Sequence, residues 1–140
     1  MSESTDALCM KPGHVGWNEL VANNPRAAAD FYGRLFGWQA TPFVPQGTKL
    51  PAEAEPYTIF KLNPNDEMGI GGMMPAKQSG APSMWMPYVV VENVDASLKK
   101  AVGLGAKECL PVTSLGEIGR IAIIRDPQGA TIGLHELPKA

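Results

Sequence analysis

Residues 17–38 read WNELVANNPRAAADFYGRLFGW, and this stretch decides the fold. Its left edge closes an apolar segment, VGWNELVA at 15–22, that reads as a strand. Asn24-Pro25 follows, an N-cap with proline at the first helical position, where its missing N–H costs nothing. Ala28, Phe31, Tyr32, Leu35 and Phe36 then recur at helical spacing, the signature of a helix with one apolar face. Gly37 stands where a left-handed C′ residue ends such a helix. The order is strand, cap, helix, stop.

Working outward, 38–43 reads as a second strand, and 44–56 (VPQGTKLPAEAEP) as a long loop and candidate lid. Residues 57–62 are a strand, Asn63-Pro64-Asn65-Asp66 a turn, and 68–74 a strand broken by Gly69, Gly71 and Gly72. Glycines inside a strand mark a bend or a close backbone approach. No Lys-Ser/Thr or helix follows them, which excludes a phosphate-cradling loop. After a connector at 75–83 the pattern restarts. A strand spans 85–92, and Asn93 or Asp95 caps a helix through Leu98, Ala101, Val102 and Leu104, stopped by Gly105. Strands at 107–111, 118–125 and 130–137 follow, with a loop over 112–117.

Each half reads β-α-β-β-β. The helix-stopping glycines, Gly37 and Gly105, lie about half a chain apart, so the corners repeat although the identities do not. The predicted fold class is α+β, two βαβββ modules pairing into a mixed, barrel-like cup. Residues 1–13 form a flexible arm. Module one spans about 14–75 and module two about 84–138.

The bulk numbers agree. The chain has 140 residues, 44% hydrophobic and 19% charged, with a net charge of −2. That length buries roughly 70% of the surface of the unfolded chain as one domain. Scattered basic residues exclude a nucleic-acid footprint, and no apolar run reaches a membrane span. The polar amino terminus is not read as a signal peptide. Two cysteines, Cys9 and Cys109, are expected as free thiols in a reducing cytoplasm.

Three segments carry a resemblance: WNELVANNPRAAADFYGRLFGW at 17–38, MPYVVVENVDASLKKAVGLGAK at 86–107, and GRIAIIRDPQGATIGLHEL at 119–137. They resemble the glyoxalase / bleomycin-resistance / extradiol-dioxygenase superfamily, the vicinal oxygen chelate proteins, over nearly all of the chain after residue 13. The resemblance implies a small-molecule cup, a homodimer, and in metal-using members a divalent ion held by His and Glu. Carried over by the same resemblance, the ligand positions fall on Trp17, Met86 and Gly133. An indole, a thioether and a bare backbone do not hold Ni²⁺, Zn²⁺, Mn²⁺ or Mg²⁺. No metal or other cofactor is therefore expected. His14, three residues before Trp17, falls on the wrong face to replace a ligand and reads as an arm residue.

Strand alternation gives the neighbours of those positions. Trp17, Met86 and Gly133 form one layer of the expected cup, and Glu19, Tyr88 and His135 the next. These six are the expected ligand-binding residues. Glu19 and His135 are the candidate catalytic pair, because a carboxylate in an apolar cup suits acid–base work. The plainer alternative pairs Glu19 with Arg120 or Lys61 to fix the sheet, or turns it to solvent at a strand end. Three functions follow: a metal-independent binder of a small, partly apolar molecule; a glyoxalase-like lyase or isomerase using Glu19 or an ion in another register; and a non-catalytic structural or regulatory module.

Overall fold

In a computed structural model, residues 10–43, 57–76 and 82–138 are described. The elements are β1 (Val15–Ala22), α1 (Pro25–Phe36), β2 (Gln39–Phe43), β3 (Tyr57–Lys61), β4 (Gly71–Pro75), β5 (Met84–Val90), α2 (Val94–Gly103), β6 (Lys107–Ser114), β7 (Arg120–Arg125) and β8 (Thr131–Glu136), with a 3-10 turn at Gly116–Ile118. The fold is α+β, and the βαβββ order occurs twice, as the spacing of corners predicts.

Backbone contacts divide the chain into two compact units. The first takes the described residues from Trp17 to Met86. The second takes those from Pro87 onward together with the segment ending at Gly16.

In the first unit the strands run in the order β2-β3-β4-β1, with β1 parallel to β4 and the other pairs antiparallel. Leu20, Ala22, Phe60 and Met73 form its buried core, packed against Ala28, Ala29 and Tyr32 of α1 and against Trp38. Burial of a side chain such as Phe60, which has no exposed surface, contributes about 1.5–3 kcal/mol. The helix begins as its sequence requires. The Asn24 side chain accepts from the Ala27 N–H at 3.1 Å, Pro25 is the first helical residue, and Gly37 closes the helix at φ 77°. Tyr32, Trp38, Phe60 and Trp85 add an aromatic cluster with centroids 5.5–6.4 Å apart. The Trp85 indole N–H donates to the Tyr32 hydroxyl at 3.0 Å.

The second unit has the same plan: β5-β8-β7-β6, with β5 parallel to β8. Its core is Val94, Leu98, Ala122, Ile124 and Leu134. Asn93, rather than Asp95, caps α2, accepting from the Ala96 N–H at 3.0 Å. Glu136 ties this helix to β8: its Oε1 accepts from the Val94 N–H at 3.0 Å and from Arg120 at 2.8 Å. Arg120 also pairs with Asp95 at 2.7 Å. These two carboxylates, Glu136 foremost, hold the guanidinium in its charged form.

The expected loop at 112–117 is corrected in part. β6 continues to Ser114, paired through Thr113 with Ile121. Pro111 does not end the strand because it lies on an edge, within a stretch where the pairing register shifts and no ladder N–H is required of it. The candidate lid at 44–56 and Cys9 lie outside the described residues, and Cys109 is an exposed free thiol. Among the described residues no helix is long and apolar enough to cross a membrane.

Candidate functional site

The two faces of the first unit's sheet differ in chemistry. On β1, Leu20 and Ala22 point into the core beneath α1. Alternation therefore turns Trp17, Glu19 and Val21 to the opposite face. Glu19 is a carboxylate only 5% exposed.

The register explains what meets it there. Glu19 stands opposite Gly72 of β4, and Gly72 in turn stands opposite Ile59 of β3. Tyr57, two residues before Ile59, shares that face. A β-carbon added at Gly72 would collide with the hydroxyl and ring of Tyr57. The missing side chain is what lets the phenol cross β4 and reach β1. There its hydroxyl donates to Glu19 Oε1 at 2.9 Å. The Trp17 indole N–H donates to the same phenol oxygen at 3.0 Å. A second glycine makes room for the indole: a β-carbon at Gly69 would sit 3.1 Å from Trp17 Cη2 and run into Ile59.

The polarity of this line is fixed. An indole N–H can only donate, so Tyr57 accepts from Trp17 and its one proton goes to Glu19. Burial pushes the Tyr57 hydroxyl well above the ordinary phenol range, and the charge of Glu19 pushes it further. The phenol stays protonated and acts as a fixed donor to a buried carboxylate.

The remaining predicted site residues fall as follows. Met86 is buried in the first unit. In the second unit, Tyr88 pairs with Gly133, and a β-carbon at Gly133 would strike the Tyr88 ring. His135 Nε2 lies 2.7 Å from the Ile118 carbonyl oxygen, so that nitrogen carries the proton and donates. His14 is exposed, and its backbone carbonyl accepts from the Val90 N–H at 2.9 Å. Arg120, weighed as a partner for Glu19, is committed to Glu136 and Asp95. Trp17 and Glu19 are thus joined through Tyr57, and Tyr88 is joined to Gly133. Sequence reading missed Tyr57. Its signal was present in the strand-interior glycines, which announce a close approach without naming the side chain that makes it.

A divalent ion does not fit these positions. Trp17 gives its N–H to Tyr57, Met86 offers a buried thioether, and Gly133 lies under a tyrosine ring. Among the described residues no three His, Cys, Asp or Glu side chains converge on a point.

Comparison with known proteins identifies the relatives. The model of the glyoxalase-like domain family matches residues 18–135. "Putative glyoxylase CFP32" of Mycobacterium tuberculosis is 32% identical over 126 residues, covering 90% of this chain and 46% of that protein. The anthracycline biosynthesis protein DnrV of Streptomyces peucetius is 30% identical over 129 residues, covering 88% of this chain and 46% of that protein. The chain therefore spans about half the length of the curated relatives it matches. Among solved structures, methylmalonyl-CoA epimerase from Mycobacterium tuberculosis aligns with a TM-score of 0.56 at 13% identity, covering 89% of this chain and 90% of that one. The Mn(II)-bound glyoxalase from Novosphingobium aromaticivorans aligns with a TM-score of 0.56 at 14% identity, covering 90% of this chain and 39% of that one. At such identities these two show a shared fold.

Proposed function

Since the chain belongs to the glyoxalase-like domain family, we propose that it binds a small, partly apolar molecule on the face of its first unit bearing Trp17, Glu19 and Tyr57, without a divalent ion. One observation carries the reading: a carboxylate 5% exposed is held by a phenol that crosses a glycine to reach it. Burying a carboxylate is costly, and a plain sheet position has no need of one. The indole and phenol supply flat apolar surface beside it, the usual composition of a small-molecule site.

The experiment is thermal unfolding against a panel of aromatic small molecules, one of them an anthracycline in view of the relative's name. A ligand at a hundred times its dissociation constant adds about 2.7 kcal/mol. A bound ligand should raise Tm in the wild type and lose most of that effect in Glu19→Gln. A panel without any stabilising member, or stabilisation untouched by Glu19→Gln, speaks against this site.

A second reading is favoured by the 2.9 Å Tyr57–Glu19 hydrogen bond. A carboxylate kept as an acceptor is equipped to abstract a proton, as glyoxalase-like isomerase or lyase chemistry requires. Turnover of the methylglyoxal–glutathione hemithioacetal, abolished in Glu19→Gln, would establish it. A homodimer in the cytoplasm completes the proposal, and light scattering on the purified protein tests the dimer.

A further inference from the structure

We infer that the outer flank of α1 is the surface through which two copies of this chain pair, laid antiparallel about a two-fold axis. This rests on the homodimer of the reading above and names the face that makes it.

The two helices follow the first strand of their units alike, yet they are buried unequally. Val94 and Leu98 of α2 are buried, whereas no residue of α1 is. At 3.6 residues per turn, Ala28, Ala29 and Tyr32 point at the sheet, and these are the α1 side chains packed against the core. Phe31 and Leu35, one turn apart, fall on the adjoining flank and are 57% and 58% exposed. Phe36 is 52% exposed and Trp85 38%. Ring contacts tie the patch together: Phe31, Phe36 and Trp85 each meet Tyr32, with centroids 5.1, 6.1 and 5.5 Å away.

Area says that something covers this patch. At about 150–250 Å² for side chains of this size, the exposed parts of the four come to roughly 400 Å² of apolar surface. A standard interface takes about 800 Å² from each partner, and in homodimers about 65% of it is apolar. These four side chains therefore supply most of the apolar share that a stable dimer needs.

Charge says what covers it. Asp30 and Arg34, both exposed, border the stripe and pair along the helix at 3.1 Å. A two-fold contact requires a patch to match itself. Laid parallel, two such helices would set Asp30 beside Asp30. Turned over, the second copy sets its Asp30 against Arg34 of the first and its Arg34 against Asp30. An identical chain thus brings both the matching apolar stripe and the reversed charges. The interface also lies away from the proposed site: α1 packs on Leu20 and Ala22, and Glu19 faces the other side of β1.

The test is sedimentation velocity of the full chain over a concentration series, with circular dichroism to verify the fold of each variant. The wild type should sediment as a dimer. Phe31→Glu and Leu35→Glu each put a charge on the stripe twice per dimer and should raise the dissociation constant at least about a hundredfold. Leu104→Glu, at a position 71% exposed in α2 and outside the patch, should leave it unchanged. Asp30→Arg should raise it about tenfold, and Asp30→Arg combined with Arg34→Asp should restore the wild-type value. A dimer that survives both stripe substitutions overturns this face and leaves the homodimer standing. A charge swap that fails to restore affinity overturns the antiparallel arrangement. A wild type that stays monomeric throughout overturns face and homodimer together, while ligand binding at Glu19 keeps its own thermal test. A monomer that instead binds phosphatidylcholine vesicles, and loses them in Leu35→Glu, assigns the patch to a lipid surface and overturns the pairing.

Discussion

The hydroxyl of Tyr57 occupies the space that a β-carbon on Gly72 would fill. The two residues sit on neighbouring strands, and the absence of one side chain is the condition for the placement of the other.

Substitution at Gly72 should therefore behave unlike an ordinary glycine replacement. Gly72→Ala forces the phenol aside, breaks its bond to Glu19, and is expected to destabilise the protein by about 1–3 kcal/mol, as overpacked cores do. Gly133→Ala, which meets the Tyr88 ring, should behave alike. The control is Gly103→Ala at the end of α2, where an added β-carbon meets nothing within 4 Å. It should stabilise by roughly 0.5–1 kcal/mol. Urea unfolding of the three variants checks the order.

Tyr57→Phe keeps the ring over Gly72 and removes only the hydroxyl. Glu19 then loses a charge-assisted bond, for a cost of about 1.5–3 kcal/mol at neutral pH. A cost indistinguishable from zero by chemical denaturation would mean that solvent replaces the phenol without penalty.

Alkaline pH gives a signed prediction. In the folded state the Tyr57 hydroxyl is held above its ordinary range, by burial first and by the Glu19 charge second. Its contribution is complete below the unfolded phenol's pKa of about 10 and is lost as pH rises beyond it, because the folded chain then binds more protons than the unfolded chain. Stability should fall above that point by about 1.4 kcal/mol per pH unit from this group. Tyr57→Phe should lack the slope. The Tyr57 phenol should stay unionised in the native near-ultraviolet titration while the chain remains folded, as comparison with Tyr57→Phe would show.

Glu136 offers a structural contrast to Glu19. Its Oε1 satisfies the Val94 N–H at the start of α2. Glu136→Ala strands that buried donor, which costs about 1–3 kcal/mol. Hydrogen exchange should show the first turn of α2 opening sooner, with ligand binding at the first unit unchanged.

Added Mn²⁺, Zn²⁺ or Ni²⁺ should leave Tm unaltered, because the donors at Trp17, Met86 and Gly133 do not suit a hard or borderline cation. A saturable rise in Tm with any of the three would contradict the donor chemistry.

Much of the fold was legible because its punctuation is local. Asn24-Pro25, Gly37 and Asn93 act through backbone geometry within a few residues, and each does in space what its type predicts. The extent of β6 was not legible, because Pro111 reads as a stop unless the chain is known to run along an edge. At the candidate site, alternation gives the face shared by Trp17 and Glu19 from sequence alone. Tyr57 was not legible there. It comes from a strand two positions away across β4, beyond a long intervening segment, and only the register opposite Gly72 brings its hydroxyl to Glu19. The partners of Arg120 were hidden for the same reason, since Asp95 and Glu136 are distant in sequence.

The tyrosine-covered glycines also constrain how this lineage can change. An imidazole or carboxylate at position 133 would have to enter space already taken by the ring of Tyr88, so that no single replacement there can introduce a metal-ligating side chain. Positions 57 and 72, and likewise 88 and 133, must drift as couples, and the order of replacement matters: the ring has to shrink before the glycine can grow.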